Sequence, residues 1–93
     1  MAYIGTGRLL TTQNVAYTGT AGTTSTAISL GVQKVRVVCT TDAFVKIAVS
    51  PTATTSDAYA VGLLPEYFTC APGEKVSAVQ VSAGGTLYVT EIA

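Results

Sequence analysis

The sequence predicts an all-β fold: a small antiparallel β-sandwich or barrel of about seven strands, with Greek-key or jelly-roll connections. Three observations point to it. Apolar residues recur at period two in several runs, the chain is rich in β-branched Thr and Val, and turn residues interrupt it at short intervals. No window carries the i, i+3, i+4, i+7 spacing of an amphipathic helix over a useful length. Ninety-three residues hold one core, so the chain is one domain, 1–93. Residues 1–12 read as an extended arm and 13–93 as the β core.

Taken in order, the arm contains Leu9 and Leu10, two apolar side chains that need something to pack against. The following segment is Thr-, Gly- and Ala-rich; strands near Asn14–Thr18 and Thr26–Leu30 would extend the sheet. Alternation is clearest from Gln33 to Thr40, with Val35, Val37 and Cys39 on one face and Lys34, Arg36 and Thr40 on the other. Thr41-Asp42 supplies a turn, because an Asp side chain can bond its own downstream backbone. Val45, Ile47 and Val49 then point inward, and the two runs read as an antiparallel hairpin. Residues 50–57 (SPTATTSD) form a loop. Tyr59–Leu64 reads as a short edge strand, and Glu66–Cys70 places Phe68 and Cys70 on one side. Ala71-Pro72-Gly73-Glu74 is a turn. Lys75–Val81 and Thr86–Ile92 read as a second hairpin around Ser82–Gly85, with Val79, Val81, Leu87 and Val89 in the core.

Composition argues against catalysis and against polyanion binding. There is no histidine, the commonest general base. Asp42, Asp57, Glu66, Glu74 and Glu91 all fall at turns, loops or strand ends, where solvation or turn chemistry explains them. Cys39 and Cys70 match no zinc or redox spacing, and the inward parity of Cys39 marks a buried thiol. No cofactor and no metal site is expected. The charge balance is zero, five basic against five acidic residues, with no basic stripe for nucleic acid or anionic membrane. Gly5-Thr6-Gly7, Gly19-Thr20-Ala21-Gly22 and Gly84-Gly85 lack the strand–loop–helix setting of a phosphate site. The threonines do not repeat in register, and Tyr17, Tyr59, Tyr67 and Tyr88 are dispersed, which suits core-edge or interface positions better than base or sugar stacking. Only 11% of residues are charged, against roughly 25% in an average domain. So little charge suits a chain that covers part of its surface by assembling.

Gly5-Thr6-Gly7-Arg8-Leu9-Leu10, Lys34-Val35-Arg36-Val37-Val38, Ser50-Pro51-Thr52-Ala53-Thr54 and Pro65-Glu66-Tyr67-Phe68 follow one another in order, then Pro72-Gly73-Glu74-Lys75-Val76 and Gly84-Gly85-Thr86-Leu87-Tyr88-Val89-Thr90-Glu91. In this order the chain resembles a group of short virion-associated structural proteins of tailed, podovirus-like bacteriophages. The resemblance implies a capsid decoration or cement protein, made in the host bacterial cytoplasm and carried on the capsid surface of the virion. Its partners would be the major capsid protein and itself, as a dimer or trimer, with no nucleic acid and no membrane. Tail, adaptor or head-fibre component, and host-surface or glycan-binding module, are the competing functions. The apolar contacts expected at the partner interface are Leu9, Leu10, Tyr59, Leu63 and Leu64.

Overall fold

The structure, a computed structural model, describes residues 7–93. Those residues form eight strands and no helix: β1 (Leu9–Tyr17), β2 (Gly22–Thr23), β3 (Lys34–Cys39), β4 (Ala43–Ala48), β5 (Ala58–Ala60), β6 (Glu66–Thr69), β7 (Lys75–Gln80) and β8 (Gly85–Ile92). They make two four-stranded antiparallel sheets, ordered β1-β8-β3-β6 and β2-β7-β4-β5. This is a β-sandwich with jelly-roll strand order: every connection except β4 to β5 passes from one sheet to the other. Of the expected arm, residues 1–6 lie outside the described residues, and Leu9–Thr12 form the first part of β1.

Large and small side chains interdigitate between the sheets. The first sheet contributes Tyr17, Val35, Val37, Cys39, Leu87 and Val89; the second answers with Ala43, Val45, Ala60, Val76 and Ala78. Ile28, Val32 and Cys70 complete the buried cluster. Burying each Val or Leu is worth roughly 1.5–3 kcal/mol. The inward set expected for 33–40 is therefore correct, as is Phe68 beside Cys70.

Neither expected hairpin forms. β3 pairs with β8 and β6, while β4 pairs with β7 and β5, so residues 40–42 form an arch between sheets. Period two reports that one face is buried, and it reads the same for two strands side by side and for two strands facing each other. Tertiary bonds settle the choice. The Tyr17 hydroxyl donates to the Thr41 carbonyl at 2.6 Å and accepts from the Thr41 N–H at 3.1 Å, using the backbone groups of the turn itself. Thr40 is tied to β8 through its N–H to the Thr86 carbonyl and its Oγ1 from the Thr86 N–H. Gly85 lies under this corner, where an added Cβ would sit 2.6–2.7 Å from Thr40 Oγ1, Thr41 Oγ1 and the Tyr17 hydroxyl. β7 and β8 likewise belong to opposite sheets.

The one same-sheet connection, residues 49–57, folds back over the outer face of the second sheet. Ala53 donates its N–H to Ser77 Oγ at 2.9 Å, and Thr23 Oγ1 donates to the Pro51 carbonyl at 3.2 Å. Ser77 and Val79, which face outward by register, are buried as a result. Val79 is buried as expected, although on the outer face. Two core expectations are corrected: Val81 is exposed, and Val49 leaves the sheet into the loop and is 69% exposed. Thr26–Leu30 forms no strand, although Ile28 bonds to the Glu74 carbonyl and is buried.

Candidate interaction surface

Leu9, Leu10, Tyr59, Leu63 and Leu64 are all exposed, but the fold places them in two regions. Leu9 and Leu10 begin β1, at the edge of the first sheet and at its Ile92 end. Tyr59, Leu63 and Leu64 lie on the opposite side of the sandwich, in β5 and in the connection to β6, beside the 40–42 arch. They do not form one patch.

The β5–β6 connection is built as a turn. The Leu64 N–H reaches the Val61 carbonyl at 3.4 Å, which makes Gly62 and Leu63 the central residues. Leu63 has φ +62°, a left-handed conformation that turns reserve for Gly or Asn in this position. It is nonetheless a leucine, 74% exposed. The left-handed conformation costs a side-chain-bearing residue roughly 1–2 kcal/mol. Neighbours hold it there. The Leu63 N–H donates to the Cys39 carbonyl at 2.7 Å, and the Gly62 N–H donates to Asp42 Oδ1 at 2.7 Å. Gly62 sits so close to the arch that a Cβ would come within 3.0 Å of Thr41 backbone atoms.

Asp42 serves as a double clamp. Its other oxygen accepts the Tyr59 hydroxyl at 2.6 Å. The Tyr59 bond, then the Gly62 N–H, holds the carboxyl below its ordinary pKa, and the same bond raises that of Tyr59. The Tyr59 ring packs edge-on to Phe44, with centroids 5.4 Å apart. Val61, Leu63, Leu64 and Tyr67 are exposed as well, Tyr59 lying on the outer face of the second sheet opposite Phe44 and Tyr67 on the outer face of the first opposite Arg36. Val61 and Tyr67 were not among the expected contacts. The signal that could have found them is their place beside the uncharged Leu63-Leu64-Pro65 run, Val61 just before Gly62 and Tyr67 just after Glu66.

On the same side the sheets part into an open cleft of about 250 Å³, lined by Val45, Ile47, Ala58, Phe68 and Thr69. Its lining offers one hydroxyl and no carboxylate, amine or thiol, which suits an apolar side chain. Carboxylates elsewhere in the fold serve as hydrogen-bond acceptors for turns and loops. Asp57 accepts from the Thr54 N–H and hydroxyl, and Glu74 from the Ala71 N–H. Glu91 departs from expectation: it faces inward in β8 opposite Val35, is buried, and accepts from the Ser29 N–H and hydroxyl. Both cysteines are free and buried. Burial pushes the Cys39 thiol up to about 11 and raises that of Cys70, so neither supplies a thiolate at neutral pH. No group of three or more His, Cys, Asp or Glu that could hold a metal ion occurs among the described residues. No helix among them is long and apolar enough to cross a membrane. No protein-family model, curated protein or solved structure matches the chain.

Proposed function

We propose that this chain is a virion structural protein of a tailed bacteriophage, binding the outside of the assembled capsid and bridging neighbouring major capsid subunits. The observation that carries the reading is the Val61–Leu64 turn. A leucine is held at positive φ, with its side chain in solvent, by hydrogen bonds from both sides. Among the described residues the Leu63 side chain is exposed and outside the core cluster, and Gly in its place would remove the backbone cost. A partner surface that receives Leu63 and Leu64 supplies the reason, as exposed apolar groups on a rigid turn make efficient anchors. The cleft farther along the same side of the sandwich, with its apolar lining, can take an apolar side chain in return. The ordered sequence resemblance supports the capsid as that surface, and the low charge supports a life in contact with other subunits. Repeated copies on a symmetric shell would turn weak single contacts into firm attachment.

The test is reconstitution on particles that lack the protein, followed by cryo-electron microscopy. Wild-type chain should appear at local symmetry axes of the head and raise the temperature at which particles burst. Leu63→Asp should remain folded and leave those positions empty. Particles that resist heat equally with and without the protein would overturn the cement role, and density confined to the tail would move the chain to a tail or adaptor role.

A further inference from the structure

We propose that the outer face of the first sheet binds an acidic saccharide, with Tyr67 and Tyr88 stacking on sugar rings and Arg36 pairing with a sugar carboxylate. Along the chain these tyrosines are dispersed, and only strand order brings them together. In β3, Val35 and Val37 are buried between the sheets, so Arg36 and Val38 point outward. Tyr67 of β6 lies opposite Arg36, and Tyr88 of β8 lies opposite Val38. Tyr88 is also the partner of Asn14 in β1. The two tyrosines therefore flank β3, two strand spacings apart and offset by two residues, which separates their Cα atoms by roughly 12 Å. Both are exposed, as is Asn14, while Arg36 and Val38 are half-buried between them. At the Ile92 end the face is closed: Gly7 lies against Ile92, and Thr90 and Ile92 are buried. The rest stays open.

Charge and side-chain type favour a sugar that carries a carboxylate. The only acidic residues in the four strands are Glu66 and Glu91. They pair with the inward residues Val37 and Val35 and so take the other side of the sheet. Arg36 therefore has no carboxylate on its own face, and its planar fork can hold one brought by a ligand through two parallel bonds. A tyrosine ring meets the C–H face of a pyranose while its hydroxyl reaches the sugar hydroxyls, an apolar body with a polar tip. Asn14 adds two donors and an acceptor. The spacing of the rings suits an extended chain of several sugar units better than a single ring. Two basic residues on the face, Lys34 and Arg36, are too few for the many phosphate contacts that hold a polynucleotide. The open part of the face also holds no leucine, isoleucine or methionine to anchor a protein.

The test places the full chain on an array of immobilised oligosaccharides, neutral ones beside hexuronate- and sialate-bearing ones. Nuclear magnetic resonance titration with the best acidic binder follows. Wild type should bind acidic members, and the amides that shift should cluster in β3, β6 and β8. Tyr67→Ala and Tyr88→Ala, each folded by circular dichroism, should weaken binding roughly tenfold. Tyr67→Phe should retain it, because the ring does the stacking. Arg36→Gln should bind acidic and neutral members alike. Leu63→Asp should bind as wild type does, which separates this face from capsid attachment. An array with no acidic sugar above background would overturn the proposal. So would binding that survives both alanine substitutions, or tighter binding to a thymidine oligonucleotide than to any sugar.

Discussion

Two neighbouring residues, Thr41 and Asp42, anchor two opposite kinds of structure. Thr41 is gripped by the Tyr17 hydroxyl, whose ring is 1% exposed and belongs to the core. Asp42 grips the Tyr59 hydroxyl and the Gly62 N–H, and so holds Leu63 out in solvent. The Tyr17 corner converts hydrogen bonds into burial. The Leu63 turn uses hydrogen bonds to sustain exposure at a backbone cost. A contact that stabilises the free chain and a contact kept for a partner can therefore sit one residue apart, and they should separate under mutation.

The largest effect should come from the corner. Tyr17→Ala should lose about 3–5 kcal/mol through the cavity it leaves, a large share of the stability of so small a domain. Tyr17→Phe isolates the hydroxyl and should lose about 1–3 kcal/mol, because the Thr41 backbone groups lose their partner. Urea unfolding measures both; a loss for Tyr17→Phe near zero would mean the arch holds without that bond. At the turn the sign should reverse. Leu63→Gly should leave stability unchanged or raise it by up to about 1 kcal/mol, the left-handed cost recovered less the entropy cost of glycine. The same variant should lose attachment to particles. A destabilised Leu63→Gly would place Leu63 in the folding of the chain instead.

The smallest effect is the pH dependence of the Asp42 clamp. The folded carboxyl has a pKa below its ordinary 3.8, so its contribution is complete above that value and is lost as pH falls through the depressed one. Tyr59 is raised above its ordinary 10.0, so its contribution is present below that value and is lost as pH rises through the raised one. Thermal melts between about pH 5 and about pH 2 should fall more steeply for wild type than for Asp42→Asn, which has no charge to lose. Parallel curves would show that the clamp does not depend on the carboxylate.

Much of the core was legible in the sequence, and little of the connectivity was. Val35, Val37, Cys39, Val45, Leu87 and Val89 are buried as their alternation requires. Val79 escaped the rule because residues 49–57 cover a face that parity leaves open. Leu63 and Leu64 were named as apolar contact residues at the end of an expected edge strand before Pro65, and all five expected contact residues are exposed. Their division between two sides of the sandwich was not recognisable, because residues distant along the chain acquire a common face only through strand order.

By itself the sequence determined the β class, the single core and most of the side chains that fill it. These follow from local chemistry: branched side chains, period two and turn residues act over a few positions. The tertiary structure alone decided which strands are neighbours, that the apparent hairpins are arches, and that a leucine occupies a left-handed turn. Those outcomes rest on bonds between residues far apart in the chain, such as Tyr17 to Thr41 and Asp42 to Gly62. A periodic pattern names the buried face of a strand, and only its long-range partners name the sheet to which it belongs.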